Sequence, residues 1–168
     1  MQSDSRSGGQ ALVEFVILFP VIIYFTLILI QIALIYNAYQ VVNYAAYCSA
    51  RAGIVYQANT EKMKRAAVIA TIPIAGGKIS ADISQIPDIY DHYHRASLKT
   101  EVDLQEYTDS ELTVTATHHF QLIVPGVGVL MVPILGVWDM PLSSEAQEST
   151  EEFGAPHLPV RATCTLPL

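Results

Sequence analysis

Most of the apolar residues of this 168-residue chain lie in two long blocks, Phe15–Ile35 and Leu122–Trp138. The first block contains no charge, and the next charged residue along the chain is Arg51. At ~1.5 Å per residue, a helix over this block is about 30 Å long, which matches the hydrocarbon core of a bilayer. It is too long for the apolar region of a cleavable secretory signal. The pattern predicts a transmembrane helix over about residues 15–35.

Two residues inside this block are unusual for a membrane span. Pro20 has no backbone N–H and leaves the carbonyl of Val16 without its partner, so we expect a kink of the kind that membrane helices tolerate. Gln31 is polar, and two readings fit it. Either it hydrogen-bonds to another helix, or it lies near the far interface and reaches toward water.

The helix is predicted to continue beyond the membrane. Residues 36–56 lack proline and contain several alanines, which are good helix formers. We therefore expect one helix over about residues 10–57, with Gly53 ending or loosening it. A helix of this length requires a partner that covers its apolar side.

A second, shorter helix is predicted to follow a brief connection. Thr60 is its candidate N-cap, and Met63, Ala67 and residues 69–70 fall on one face. Pro73 ends it, because proline cannot continue the hydrogen-bonding pattern of a helix.

The second half of the chain has the alternation of strands. Lys99–Tyr107 and Glu111–Phe120 alternate apolar and polar residues and are predicted to pair as a hairpin. Met140–Ser149 is a candidate third strand, Gly154–Leu168 is interpreted as a loop or edge segment because of its prolines, and residues 79–95 have no clear pattern. The predicted fold is α+β: a long N-terminal transmembrane helix extends into a small extracytoplasmic domain with a second helix and a short antiparallel sheet.

The second apolar block, Leu122–Trp138, is ambiguous. Two prolines and three glycines break it into pieces too short for one stable helix. We favour an apolar loop or short helix that packs under the sheet or lies on the membrane surface. The alternative is a second membrane span.

Composition excludes some functions. The net charge of −7 argues against nucleic-acid binding, which requires a basic patch. Arg6 and the terminal amine precede the span and an acidic segment follows it, which weakly favours a cytoplasmic N-terminus. Cys48 and Cys164 could form one disulfide outside the cytoplasm, or remain two unpaired thiols with Cys48 packed on the helix.

The histidines are the main candidates for a chemical site. His92 and His94 would share a face on a strand, whereas His118 and His119 would point in opposite directions. A third ligand at a diagnostic spacing is missing, so no metal site is predicted. We find no nucleophile motif, phosphate loop or dinucleotide fingerprint, and hence predict no enzyme, no cofactor and no small-molecule substrate.

Glu14 is the most informative residue of the N-terminus. A carboxylate at the membrane boundary costs free energy, of order 2.5–3.5 kcal/mol at the centre of a span and less near its edge. Such a residue is a functional candidate by default. The alternative is an acid that favours the positive end of the helix dipole and stays among the lipid headgroups.

The residues before Glu14 favour the functional reading. Gly8 and Gly9 follow a polar leader, and Glu14 stands five residues after Gly9. This resembles the class III signal of type IV pilin-like proteins, which implies a cut between Gly9 and Gln10 that leaves the glutamate at the fifth mature position. The resemblance further implies that the new α-amine of one subunit pairs with the glutamate of a neighbour. Such a pair sets helix register more than it adds stability.

A closer resemblance covers roughly the first third of the chain. Val13-Glu14-Phe15 followed by an apolar run and the early Pro20 resembles the start of the TadE-like family of the tight-adherence (Tad, type IVc) pilus system. Ser49–Gly53 resembles an Ala-Arg-x-Gly segment of that family. Major Flp-type pilins are much shorter and TadG-like proteins are far longer, so the chain resembles the minor, pseudopilin-like members. Glu14, Phe15 and Pro20 would then serve helix pairing during assembly.

The resemblance implies a complete layout for the chain. Residues 1–9 would be a cytoplasmic leader, residues 10–57 the pilin-like helix, and residues 58–168 an extracytoplasmic domain. The protein would be a single-pass protein of the bacterial inner membrane, and its partners would be the membrane, other pilin-like subunits and a prepilin peptidase. The alternative function is an uncleaved, signal-anchored periplasmic binding domain that never enters a filament.

Overall fold

The structure, a computed structural model of the chain, describes residues 5–76, 86–108, 110–124 and 157–168. The elements of these residues are, in chain order, α1 (Ser5–Val55), α2 (Thr60–Thr71), a short 3₁₀ helix (Ile72–Ile74), α3 (Ile86–Lys99), β1 (Thr100–Tyr107), β2 (Glu111–Gln121) and β3 (His157–Pro167). A long apolar helix is thus followed by two further helices and a three-stranded antiparallel sheet. The predicted α+β class is confirmed.

Helix α1 runs without a break through Pro20, and its two halves have different surroundings. The first half is exposed. In the second half one face packs on the sheet through small residues, namely Ala38, Val42, Ala45, Ala46 and Ala50, each fully buried. Small side chains let the sheet approach the helix closely. The second half of α1 is therefore part of the core of the domain.

The sheet has the order β1-β2-β3, and both neighbouring pairs are antiparallel. The predicted hairpin of β1 and β2 is confirmed, with Val102 opposite Ala116. Leu112, Val114 and Ala116 of β2 are fully buried, as their alternation predicts. A bulge at Gln105 interrupts the pairing of β1.

Strand β3 confirms the second of the two readings given for residues 154–168, a loop or an edge segment. A loop reading is wrong for His157–Pro167, which form an edge strand paired with β2 along its length. Pro159 lies opposite His119. An edge strand tolerates a proline because only alternate N–H groups pair with its single neighbour. The candidate strand Met140–Ser149 lies outside the described residues.

Helix α2 has the predicted position but a different cap. The N-cap is Asn59, whose side-chain oxygen accepts a hydrogen bond from the backbone N–H of Lys62 at 3.1 Å, so the assignment to Thr60 was wrong. Met63 and Ala67 are buried as predicted, whereas Ile69 is exposed. The helix ends at Thr71, two residues before Pro73.

Gly53 has a different role from the one predicted. Helix α1 continues past it to Val55, and the turn is made by Gln57 and Ala58, both with positive φ. Gly53 is buried where α1 meets β2 and α2. A Cβ atom there would lie 2.5 Å from Leu112 Cδ2, which is closer than real contacts allow. Glycine is therefore required for the close approach of helix and sheet.

Candidate functional site: the N-terminal helix

Residues 9–30 of α1, here called the apolar arm, project from the domain with their apolar side chains exposed. Thirteen large apolar side chains of the arm are 43–64% exposed. Soluble monomers rarely carry an exposed apolar patch of this extent. In the described part of the chain α1 is the one helix long and apolar enough to cross a membrane, with a window of mean hydropathy 2.7. The arm is thus a candidate membrane anchor.

The predicted cleavage residues and Glu14 lie together at the start of the arm. Gly9 and Gln10 are exposed helical residues, and nothing lies within 4 Å of a Cβ built at Gly9. The side-chain amide of Gln10 donates to Glu14 Oε1 over a long 3.4 Å. Glu14 is exposed and has no ion pair in the described part of the chain. Its carboxylate is therefore available to a partner from another chain.

The remaining predicted assembly residues lie on the next two turns. The rings of Phe15 and Phe19 stack with their centroids 5.4 Å apart. Pro20, the residue directly after Phe19, borders an open groove of about 490 Å³, which is lined by Pro20, Val21, Tyr24, Phe25 and Ile28. Such a groove can accept the side chains of a packed helix.

Residues 9–51 match the family model described as TadE-like protein, and the match begins at Gly9. The N-terminal helix is therefore similar to that of TadE-like proteins. The match covers about a quarter of the chain and most of α1, and it confirms the predicted family. The family indicates a pilin-like protein associated with a Tad pilus. No curated protein and no solved structure matches the chain.

Gln31 is the first buried residue of α1 among residues 9–55. It is fully buried, and its Oε1 accepts a hydrogen bond from the backbone N–H of Val124 at 3.0 Å. Among the described residues its Nε2 has no hydrogen-bond partner. Neither predicted role is observed in this chain, because Gln31 bonds to the segment after β2 and is shielded from water. The sequence carries no signal for a contact between residues 93 positions apart.

The histidines are not brought together as a metal site. His92 and His94 lie on α3, where residues two apart point to nearly opposite sides, so the shared face expected on a strand was wrong. His118 is buried and His119 half-buried on β2, consistent with their predicted opposite directions. No group of three metal-ligating side chains occurs among the described residues.

His118 instead ends a buried chain of hydrogen bonds that joins α2 to the sheet. Thr71 Oγ1 donates to the Val68 carbonyl at 3.1 Å and lies 2.9 Å from Thr100 Oγ1, which lies 2.8 Å from His118 Nδ1. Each hydroxyl has one hydrogen, so Thr100 donates to Thr71 and accepts from His118 Nδ1–H. Nδ1 of His118 therefore carries a proton.

The surroundings of His118 disfavour a second proton. Burial, together with the positive charges of Lys99 and His119, lowers the pKa of His118 to about 3, although the backbone of Ile74 partly opposes this shift. Burial also lowers the pKa of Lys99, whose Nζ donates to the Ala75 carbonyl at 3.3 Å. This network could not be predicted from the sequence, because Thr71, Thr100 and His118 come from three different elements.

We expect the stability of the domain to fall as the pH is lowered from 7 to 5. In the unfolded chain His118 takes up a proton near its ordinary pKa of 6.5, whereas in the folded chain it does so only near 3. Below pH 6.5 this group alone removes up to about 1.4 kcal/mol of stability per pH unit. Unfolding midpoints of wild type and His118→Gln at both pH values measure the effect. Equal pH dependence in the two proteins would contradict it, and the exposed His94→Gln is the control.

Cys48 and Cys164 are both half-buried, and no disulfide joins them in the structure. Cys164 packs between the two parts of the core that join α1 to the sheet. Burial raises the pKa of the Cys164 thiol, which lowers its reactivity at neutral pH. Their pairing as a disulfide stays a prediction.

Proposed function

We propose that this chain is a pilin-like structural subunit of a Tad (type IVc) pilus, of the minor or pseudopilin type. A prepilin peptidase cuts it after Gly9, and the apolar arm holds it in the bacterial inner membrane until it assembles. The domain then lies outside the cytoplasm. The observation that carries the proposal is the family match over residues 9–51, which begins at the predicted cleavage residue.

The apolar arm supports assembly through helix packing. Its side chains are exposed in the single chain, and the groove beside Pro20 provides a surface for a neighbouring helix. In a membrane this packing relies on close van der Waals contact and interhelical hydrogen bonds, because lipid is as apolar as the side chains themselves. The partners are therefore the membrane and other pilin-like subunits.

Glu14 supplies the negative charge in the proposed contact between neighbouring subunits. Between Arg6 and Arg51 the sequence of α1 contains no base that could pair with it. Cleavage after Gly9 creates an α-amine on Gln10, four residues before Glu14 on the same face of the helix. The amine of one subunit and the carboxylate of its neighbour then neutralise each other in the low dielectric of the bundle. The proposal assigns the chain no catalytic role and no cofactor.

Gly9→Leu tests the processing step. We expect little or no mature chain, because a leucine side chain replaces the hydrogen of glycine next to the bond that the peptidase must reach. Folding should be unchanged, because a Cβ at Gly9 meets no atom within 4 Å. Mass spectrometry of the membrane fraction gives the ratio of full-length to mature chain, and thermal unfolding provides the control. Normal cleavage of the variant would contradict the assigned site.

A further inference from the structure

The Gln31–Val124 hydrogen bond fixes the end of the sheet to a defined level of α1. Its length is 3.0 Å, and the two residues are 0% and 8% exposed. The packing of the core shows the same order: Leu112 lies against Gly53, and Leu122, ten residues further on, packs in the cluster that holds Leu34. Strand β2 therefore runs back along α1 toward the apolar arm.

The length of a membrane span limits the depth at which Gln31 can lie in the bilayer. About 20 helical residues cross the hydrocarbon core. A span that begins at Ala11, just after the proposed cut, ends at Ile30. A span that begins at Phe15, just after Glu14, ends at Leu34. At ~1.5 Å per residue, Gln31 then lies between just outside the core and about 5 Å within it.

Either span, 11–30 or 15–34, places the segment directly after β2 at the interface between lipid and water. Ile123, the neighbour of Val124, is 62% exposed. At the same level of α1, Ile32 is 49% exposed and Tyr36 is 63% exposed. Tyrosine is favoured among the headgroups, and an exposed isoleucine is stabilised when lipid replaces water around it.

We propose that the domain sits directly on the bilayer, with Ile123 inserted among the lipids beside Ile32 and Tyr36. The lipid surface is the partner of this patch, which continues the exposed surface of the apolar arm. The inference rests on the proposed membrane span. It adds that the domain is not held away from the membrane on a free helical stalk, and that the segment directly after β2 touches the membrane that α1 crosses.

Spin labels at three isoleucines of similar exposure test this contact. Ile22 lies in the middle of the arm, Ile69 lies on α2 away from it, and Ile123 is the proposed contact; they are 61%, 56% and 62% exposed. Each position is changed to cysteine in the full chain, with Cys48 and Cys164 replaced by serine. The protein is placed in phosphatidylethanolamine–phosphatidylglycerol vesicles. Accessibility to oxygen, which enriches in lipid, is compared with accessibility to a water-soluble nickel complex.

The expected result is a several-fold higher oxygen-to-nickel ratio at positions 22 and 123 than at position 69. A water-like ratio at 123 with a lipid-like ratio at 22 would overturn the inference and leave the membrane span intact. Water-like ratios at both positions would remove the span as well. A label at 123 shielded from both reagents would indicate a protein contact, and would also overturn the inference.

A second measurement requires no substitution. The wild-type chain is placed in vesicles that contain a phospholipid with a photoactivatable group near its glycerol. We expect the peptide that contains Leu122–Val124 to be cross-linked, and the α2 peptide that contains Ile69 to remain unmodified. Equal labelling of the two peptides, or labelling of the α2 peptide alone, would contradict the proposed contact.

Discussion

Gly53→Val is expected to destabilise the domain by about 1–3 kcal/mol or more, the range found for overpacked cores. Even a single Cβ at Gly53 lies 2.5 Å from Leu112 Cδ2 and 3.2 Å from Met63 Sδ. Met63 is flexible, but Leu112 is fully buried in a cluster with Ala50, Met63 and Val114. The helix and the sheet must then separate. Thermal unfolding of the full chain in detergent measures the loss.

A double-mutant cycle assigns this loss to the contact with Leu112. Leu112→Ala alone should cost about 2–5 kcal/mol, because it leaves a cavity. In the double variant the valine partly fills that cavity, so the combined loss should be smaller than the sum of the two. Gly9→Val is the matched control, since it is the same change in the same helix without a neighbour within 4 Å. Additive losses, or an equal effect of Gly9→Val, would contradict the close-approach role of Gly53.

Glu14→Ala is expected to leave cleavage intact and to prevent assembly. If the carboxylate pairs with the α-amine of a neighbouring Gln10, its removal leaves that amine uncompensated in a low dielectric, at a cost of about 3–5 kcal/mol. Each 1.4 kcal/mol changes an association constant tenfold, so incorporation should fall by about a hundredfold or more. The amount of mature chain in sheared pili, relative to the membrane fraction, measures it.

Two variants separate charge from other effects in this experiment. Glu14→Gln keeps the size and the helical hydrogen bonding of the side chain and should fail like Glu14→Ala. Glu61→Gln removes an exposed carboxylate from the first turn of α2 and should assemble normally. Normal incorporation of Glu14→Gln would show that assembly does not need the charge of Glu14. It would favour the alternative that Glu14 only stabilises the positive end of the helix dipole among the lipid headgroups.

The elements with strong periodicity could be predicted from the sequence. Helix α1 was predicted because its apolar run lacks charge, and the β1–β2 hairpin because Val102, Leu104, Leu112 and Val114 follow the two-residue period of a strand. Helix α3 was missed. Residues 79–95 were treated as one segment without a clear pattern, although Ile86, Ile89, Tyr93 and Ala96 recur at the spacing of one helix face.

Strand β3 was predicted only as one of two readings, a loop or an edge segment. Every second residue of this segment is apolar, which is the pattern of a half-buried strand: Leu158, Val160, Ala162, Cys164 and Leu166. The prolines of this segment were given more weight than the alternation. On an edge strand a proline is tolerated, so the alternation was the better guide.

Some features of the candidate site could likewise be predicted from the sequence, and others could not. Glu14 and Gly9 could be found because a charge beside an apolar run, and its distance from a glycine, are properties of neighbouring residues. The role of Gln31 could not, because it depends on Val124, which lies 93 residues further along the chain. The rest of the second apolar block, residues 125–138, lies outside the described residues. The Thr71–Thr100–His118 chain likewise exists only after the fold has brought α2, β1 and β2 together.

The central claim is that this chain is processed as a pilin-like subunit, and the mass of the mature protein tests it most directly. The protein is extracted from membranes of cells that contain the prepilin peptidase, and its intact mass and N-terminal sequence are determined. We expect a chain that begins at Gln10 and lacks residues 1–9. A chain that still begins at Met1, or that is cut at another position, would contradict the account and favour an anchored domain that never enters a filament.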